Sequence, residues 1–136
     1  MASNADVLKS AAEMGINAVT INAGASVDST QLDRGENLIV DAVTVLLKVT
    51  GLAAACLDGG YFKVSMIPLD GTGGTEYNDG PGGIVLPITD ALYDMPATLA
   101  LPPGVRFFKI RVTNVTSQNT DANAVSAKGR WSAVTL

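Results

Sequence analysis

The stretch Val105-Arg-Phe-Phe-Lys-Ile-Arg-Val-Thr-Asn-Val-Thr-Ser117 decides the fold of this chain. Apolar side chains stand at alternate positions within it, namely Phe108, Ile110 and Val112. Polar side chains stand between and after them, namely Lys109, Arg111 and Thr113. A period of two indicates a strand with one buried face and one solvent-facing face. Such a strand needs a sheet around it and a second layer over its apolar face, so the stretch predicts a layered β fold with this strand at its centre.

A second alternating segment, Asn123 to Val134, follows after a short polar connection at Gln118 to Asp121. One set of its side chains is apolar and is expected to point inward: Val125, Ala127, Trp131 and Ala133. The other set is polar and is expected to point outward: Ser126, Lys128, Arg130 and Ser132. The two segments therefore predict a hairpin, and we expect Trp131 to fill the core near its end.

Further strand patterns lie upstream of this hairpin, separated by turns rich in Gly, Pro and Asp. They are Ala18 to Asn22, Leu38 to Thr50, Tyr61 to Ile67, Ile84 to Ile88 and Pro96 to Leu101. We expect Leu38 to Thr50 to be buried on both faces, Tyr61 to Ile67 to stop at Pro68, and Ile84 to Ile88 to lie at a sheet edge. About seven strands at short spacing, with turn residues between them, predict an all-β fold, a single antiparallel β-sandwich of Ig-like or jelly-roll-like type.

The N-terminal segment from Ser3 to Met14 has the pattern of a short helix that ends before Gly15. Its length is marginal for an isolated helix, so we expect it to dock on its own domain, dock on a neighbouring subunit, or act as an arm. The chain is accordingly divided into an N-terminal arm or short helix over residues 1–16 and a β-sandwich domain over residues 17–136.

Charge is sparse in this chain of 136 residues, of which 16% are charged, against about 25% in average soluble domains. The net charge is −4 and the basic residues are scattered, which argues against nucleic-acid binding. The densest basic group is Arg106, Lys109 and Arg111, which we interpret as a solvated or subunit-facing strand surface. A lightly charged surface is typical of a protein that a partner covers.

The chain contains one cysteine, Cys56, and no histidine. These counts exclude an internal disulfide, a cysteine–histidine nucleophile and a histidine metal site. The apolar surroundings of Cys56 in the sequence predict a buried, inert thiol. Because the N-terminus lacks a secretion pattern and no apolar run is about 20 residues long, we expect cytoplasmic synthesis and no membrane association.

The segment Asp70 to Gly83 is glycine-rich and is expected to be a long loop. Its carboxylates Asp70, Glu76 and Asp79 are candidate metal ligands because calcium prefers oxygen ligands. Their spacing matches no EF-hand, and the glycines match no phosphate-binding motif. We therefore favour a solvated loop and expect no cofactor.

Catalytic residues are not predicted anywhere in the chain. No serine lies in a Gly-x-Ser-x-Gly elbow or in a Ser-x-x-Lys pair. The segment Asn114-Val-Thr116 fits the glycosylation pattern, but we expect it to be unused without a secretion signal. A carbohydrate-binding or adhesin-like module that uses Tyr61, Tyr77, Asp79 and Tyr93 is an alternative to a purely structural role.

The C-terminal part, LPPGVRFFKIRVTNVTSQNTDANAVSAKGRWSAVTL (residues 101–136), resembles the final hairpin of small β-sandwich proteins of tailed-bacteriophage virions. The shared features are a Pro-Gly turn, a strand of the form aromatic-x-Ile-Arg-Val-Thr-Asn, and a closing strand rich in Ser and Ala. The resemblance implies a non-enzymatic virion protein, either a capsid decoration or cement protein or, alternatively, a tail or neck ring protein. It transfers no functional residue.

The partners that this resemblance implies are the major capsid protein or other virion proteins, together with further copies of the same chain. We expect the segment Ala2 to Gly15 to anchor the protein through Val7, Leu8 and Met14. The Asp70 to Gly83 loop is expected to supply a second contact through Tyr77. The predicted location is the virion.

Overall fold

The computed structural model of this protein describes residues 4–36, 38–70, 76 and 83–135. These residues form two antiparallel sheets that pack together, and the only helix among them is too short to cross a bilayer. In chain order the elements are β1 (Asn4–Lys9), α1 (Ala11–Met14), β2 (Ser26–Asp28), β3 (Leu32–Asp33), β4 (Leu38–Ile39), β5 (Ala42–Val49), β6 (Tyr61–Leu69), β7 (Ile84–Pro87), β8 (Leu92–Ala100), β9 (Phe107–Val115) and β10 (Val125–Thr135). The prediction of an all-β sandwich is confirmed, with ten strands in the described part instead of about seven.

Each sheet is built around one of the two strands of the predicted C-terminal hairpin. The β10 sheet has the order β1-β10-β5-β8, and β4 also pairs with β10. The β9 sheet has the order β2-β9-β6-β7, and β3 also pairs with β9. The stretch from Val105 to Ser117 therefore supplies a central strand, as predicted. However, β9 and β10 lie in different sheets, so they do not form a hairpin ladder.

The core lies between the sheets and is made mostly of branched aliphatic side chains. In β9 the inward residues Phe108, Ile110 and Val112 are fully buried. Trp131 of β10 is also buried, and its ring meets the Phe108 ring edge to face with centroids 5.8 Å apart. Such an aromatic pair contributes about 0.5–1.5 kcal/mol beyond the burial of its surface. The prediction that Trp131 fills the core is confirmed.

One polar residue, Asn114, also occupies an inward position of β9 and has 0% exposure. Its amide donates hydrogen bonds to the backbone carbonyls of Ile21 and Gln118. These bonds tie β9 to two connections at the same end of the sandwich. The glycosylation pattern at Asn114 therefore falls on a side chain that the fold itself uses.

The helix predicted for Ser3 to Met14 is wrong over most of its length. Residues Asn4–Lys9 form strand β1, which pairs in antiparallel register with β10, from Asn4 opposite Val134 to Lys9 opposite Gly129. The spacing of the apolar residues fits a strand as well as a helix, and pairing with β10 satisfies backbone groups that a marginal helix leaves exposed. Residues 4–9 therefore belong to the β10 sheet of the sandwich.

Helix α1 is a single turn that follows β1. Ser10 is its N-cap: the Ser10 hydroxyl accepts a hydrogen bond from the Glu13 backbone N–H, and the Glu13 carboxylate accepts one from the Ser10 N–H, at 3.2 and 3.1 Å. This reciprocal capping box starts the helix, and Gly15 ends it in the left-handed conformation at φ 75°. The turn directs Met14 into the core.

Several strand boundaries differ from the predictions. Residues 18–22 contribute a single bridge, Val19 to Val125, instead of a strand. Strand β6 continues through Pro68, which lies beyond Val64, the last residue of β6 that pairs with β7. Strand β8 begins at Leu92, not at Pro96, and its position at the edge of the β10 sheet accommodates that proline. Strand β7 lies at a sheet edge, as predicted.

The predicted strand from Leu38 to Thr50 is divided in two, because Val40 and Asp41 interrupt it between β4 and β5. The expectation that it is buried on both faces is also wrong. In β5 the fully buried side chains all lie on the inward face, and they are Val43, Val45, Leu47 and Val49. The outward face of β5 is only partly covered or exposed, and it carries Ala42, Thr44, Leu46 and Lys48.

Candidate interaction surfaces

The outer face of the β9 sheet carries a cluster of four charged side chains: Asp28, Glu76, Lys109 and Arg111, here called the ionic cluster. Asp28 lies opposite Arg111 in the pairing of β2 with β9. The Arg111 guanidinium donates from Nε to Asp28 Oδ1 at 2.7 Å and from Nη2 to Oδ2 at 2.9 Å. Lys109 Nζ donates to Asp28 Oδ2 at 3.2 Å and to Glu76 Oε1. Two cations therefore meet two carboxylates.

The ionic cluster holds all four of its groups in their charged forms. Hydrogen bonding from Arg111 lowers the pKa of Asp28, and hydrogen bonding from Lys109 lowers the pKa of Glu76. The same contacts raise the pKa values of the two cations. The largest cause for Lys109 is its hydrogen bond to Glu76, and the largest cause for Arg111 is its hydrogen bonding to Asp28. Partial burial opposes each of these shifts but does not cancel them. The cluster is neutral overall and offers a partner little net charge.

The remaining member of the basic group predicted from sequence, Arg106, is paired as well. Its guanidinium donates to Asp33 Oδ1 at 2.9 Å and to Oδ2 at 3.1 Å. It also lies over the Phe107 ring, 4.9 Å from the centroid. The three cations of this group therefore have carboxylate partners in their own chain, which the sequence pattern of a single strand does not reveal.

The outer face of the β10 sheet has a different charge arrangement. Lys128 and Arg130 point outward at alternate positions of β10, where Arg130 lies between Leu8 of β1 and Thr44 of β5. Lys128 lies opposite Leu46, and the next outward pair along β5 and β10 is Lys48 with Ser126. We call the surface formed by five of these side chains the basic face: Leu8, Leu46, Lys48, Lys128 and Arg130.

Cations of the basic face lack the carboxylate partners that those of the β9 sheet have. Among the residues that the structure describes, neither Lys48, Lys128 nor Arg130 forms a salt bridge within 4.0 Å. Their cross-strand neighbours are apolar side chains or hydroxyls. Adjacent like charges on one sheet face repel one another, so this face favours the approach of negative charge.

A groove of about 360 Å³ crosses the basic face. Leu8 and Leu46 line it together with Lys128, Arg130 and part of the α1 region. Leu8 is 67% exposed, although it belongs to a paired strand. One carboxylate lines the groove, that of Glu13, and it already accepts the capping hydrogen bond from Ser10, which lowers its pKa. The groove thus combines apolar walls with cations that have no salt-bridge partner among the described residues.

The predicted anchoring residues have different environments. Met14 is fully buried in the core of its own chain, and Val7 packs partly buried against that core. Leu8 points the other way and is exposed, because successive residues of a strand face opposite sides. Tyr77 lies outside the described residues. Of the three described candidates, only Leu8 is available to a partner in this structure.

The candidate metal ligands are not gathered into a site in the described part of the chain. Glu76 binds Lys109 and Arg111, Asp70 is exposed at the end of β6, and Asp79 lies outside the described residues. No group of three or more potential ligands occurs among residues 4–36, 38–70, 76 and 83–135. The cationic neighbours of Glu76 occupy the carboxylate oxygens that a metal would need.

The candidate carbohydrate-binding residues are also dispersed. Tyr61 begins β6 in the β9 sheet, whereas Tyr93 lies on β8 at the edge of the β10 sheet and is 65% exposed. Tyr77 and Asp79 are not among the described residues. The two described tyrosines therefore do not share one sheet face, and no observation favours this alternative.

The single cysteine has the environment that the sequence predicts. Cys56 is buried, and its thiol donates a hydrogen bond to Asp58 Oδ1 at 2.8 Å. This contact lowers the pKa of Asp58. The thiol therefore belongs to the interior of the fold and contributes nothing to either outer face.

Comparisons with known proteins include one with a solved structure. No family model matches the sequence, and no curated protein matches it significantly. A solved structure described as "Crystal Structure of FLHE" aligns with 98% of this chain and 97% of that chain, at 14% sequence identity and a TM-score of 0.42. A likeness of this extent carries no argument about what this protein binds or does.

Proposed function

We propose that this protein is a non-enzymatic structural component of a bacteriophage virion, a decoration protein that binds the outer capsid surface. The observation that carries the proposal is the basic face, where the exposed Leu8 lies beside the unpaired cations Lys128 and Arg130. An apolar side chain beside cations gives a partner both a surface to bury and charges to pair with, and charge complementarity of this kind favours specific association. The resemblance of residues 101–136 to virion sandwich proteins suggests the class of partner.

The fold suits such a role because it holds the binding surface rigidly. The basic face is carried by β1, β10 and β5, which are hydrogen-bonded to one another and backed by the core. A preorganised surface loses little conformational entropy on binding. When many copies bind one shell, a modest free energy at each site adds up and stabilises the bound state of the shell.

The two outer faces also differ in a way that gives the bound molecule an orientation. The β9 sheet neutralises its own charges in the ionic cluster, whereas Lys128 and Arg130 of the β10 sheet form no salt bridge with any residue that the structure describes. We therefore expect the β10 sheet to face the capsid and the β9 sheet to face solvent. In this arrangement the electrostatic attraction and the exposed Leu8 act on the same side.

The proposal is tested by sedimentation with capsids of the phage that encodes the chain. The protein is expected in purified virions, and the isolated protein is expected to pellet with capsids from which it has been stripped. Leu8→Asp should reduce pelleting at least about tenfold, because it places a charge in the apolar part of the contact. The control Val85→Asp changes an exposed apolar residue of β7 in the other sheet and should pellet like the wild type.

Two results would contradict the proposal. Failure to find the protein in virions, together with failure to rebind stripped capsids, would refute a decoration role. A copy number of a dozen or fewer per particle would instead indicate a tail or neck ring, because a capsid lattice has hundreds of equivalent positions.

A further inference from the structure

We infer that the basic face recognises an acidic protein segment with an apolar side chain, whose carboxylates pair with Lys128 and Arg130 while the apolar side chain enters the groove between Leu8 and Leu46. This inference deepens the proposed function, on which it rests, by stating the chemistry of the partner. It concerns the surface itself, so it can be tested without a capsid.

The spacing of the two cations defines the pattern of the partner. Lys128 and Arg130 are two residues apart on one face of β10, so their Cα atoms are separated by about 7 Å. An extended segment places its own alternate side chains at the same distance. Acidic residues at alternate positions of the partner would therefore match both cations in one register.

The cations have no competing carboxylate at their cross-strand positions. Arg130 is flanked by Leu8 and Thr44, and Lys128 by Leu46. Of the nearby carboxylates, Asp6 accepts a hydrogen bond from the Ser132 hydroxyl at 2.9 Å, and Glu13 caps α1.

Asp41 lines a neighbouring groove with Arg130 but forms no salt bridge with it in the described structure. The two cations therefore keep their hydrogen-bonding capacity for a partner. Charge complementarity of this kind increases the association rate and fixes the register of the contact.

A protein segment fits this surface better than a nucleic acid does. The groove walls include Leu8 and Leu46, whereas a nucleic-acid surface tracks many phosphates with clustered cations. The basic face has three cations, Lys48, Lys128 and Arg130, and the chain as a whole has a net charge of −4. A long polyanion would be repelled by the rest of the molecule, but a short acidic segment would contact the basic face alone.

The inference is tested by titrating the full-length, ¹⁵N-labelled protein with the peptide acetyl-Glu-Leu-Glu-Leu-Glu-amide and following backbone amide shifts. The matched probe is acetyl-Lys-Leu-Lys-Leu-Lys-amide. The acidic peptide is expected to shift amides around Leu8, Leu46, Lys128 and Arg130, and this binding should weaken as salt is raised from about 20 to about 200 mM. The basic peptide should leave these amides unchanged.

Charge-changing variants then assign the contact. Combining Lys128→Glu with Arg130→Glu should weaken binding of the acidic peptide at least about tenfold, and the corresponding double glutamine variant should weaken it at least about threefold. The glutamine pair keeps the test decisive if the glutamate pair does not fold. Lys63→Glu changes an exposed lysine of the other sheet and should bind the peptide like the wild type.

The inference is overturned if the acidic peptide shifts no amides of the basic face, if both double variants bind as the wild type does, or if a short DNA duplex binds these amides more tightly than the peptide. Saturation of the face by a second copy of the chain, seen as concentration-dependent shifts without peptide, would also overturn it. Peptide binding without capsid pelleting would refute the decoration role alone. Capsid pelleting that the double glutamine variant leaves unchanged would refute this inference alone.

Discussion

Substitution of Asn114 by alanine removes four hydrogen bonds from the interior of the sandwich. Asn114 Nδ2 donates to the backbone oxygens of Ile21 and Gln118 at 3.0 and 2.9 Å. Asn114 Oδ1 accepts from the Thr116 backbone N–H at 3.0 Å and from the Thr116 hydroxyl at 2.6 Å. All the donor and acceptor sites of the amide are thus used, although the residue lies next to an exposed end of the sandwich.

The loss in the free energy of unfolding depends on which hydrogen bonds each former partner of Asn114 keeps after the substitution. The Ile21 oxygen still accepts from the Thr120 N–H. The Thr116 hydroxyl has one proton, which Asn114 Oδ1 and the Gln118 oxygen compete for at 2.6 and 2.8 Å, so without Asn114 it donates to the Gln118 oxygen alone. The Thr116 N–H loses its acceptor, and an orphaned buried donor costs about 1–3 kcal/mol. With the other lost bonds, we expect a loss of about 3 kcal/mol in the free energy of unfolding, equivalent to a fall of roughly 10 °C in Tm.

Urea unfolding measures this loss through the fluorescence of Trp131, the sole tryptophan, which is buried in the folded state. The matched control is Asn119→Ala. The Asn119 side chain accepts one exposed hydrogen bond, from the Ala23 N–H at 2.9 Å, so its removal should cost less than about 1 kcal/mol. A loss for Asn114→Ala no larger than that of the control would refute the argument that the amide network holds this end of the fold together.

Three further changes test other parts of the structure. Phe108→Ala should lower the free energy of unfolding by about 3–5 kcal/mol in the same urea assay, whereas Phe107→Ala, at a half-buried position on the opposite face, should cost less than half of that. Pairing with Arg111 lowers the pKa of Asp28, so the contribution of Asp28 to the free energy of unfolding should be present above about pH 4 and lost as the pH falls further. Urea titrations from about pH 6 to about pH 2 should show that Asp28→Asn is less stable than the wild type by about 0.5–1 kcal/mol at the upper end of this range, and that the difference vanishes in acid. The thiol of Cys56 should react with a disulfide reagent at least about a hundredfold more slowly in the folded protein than in urea, and equal rates would contradict its burial.

Strands whose faces differ sharply in polarity were predictable from the sequence. The segments that form β9 and β10 alternate cleanly, and their inward and outward residues are as expected. The segment that forms β1 was not predictable, because its apolar residues fit two periods and its strand form depends on β10, far away in the chain. Local sequence does not contain that information.

The candidate surfaces were less predictable than the strands, because their properties depend on cross-strand register. Lys109 and Lys128 occupy similar outward positions on alternating strands, yet Lys109 pairs with carboxylates and Lys128 does not in the described part of the chain. The difference comes from Asp28 and Glu76, which reach Lys109 from distant parts of the chain. The buried Asn114 had a sequence signal, since it interrupts the apolar series on the inward face of β9.

The pairing of β1 with β10 has a consequence for biosynthesis. During translation β1 leaves the ribosome long before its hydrogen-bonding neighbour exists, since Asn4 meets Val134 only after all the residues between them have been made. Until then its backbone groups remain open to water, chaperones or other nascent chains. Completion of the β10 sheet must therefore be a late event, which waits until β10 itself has emerged.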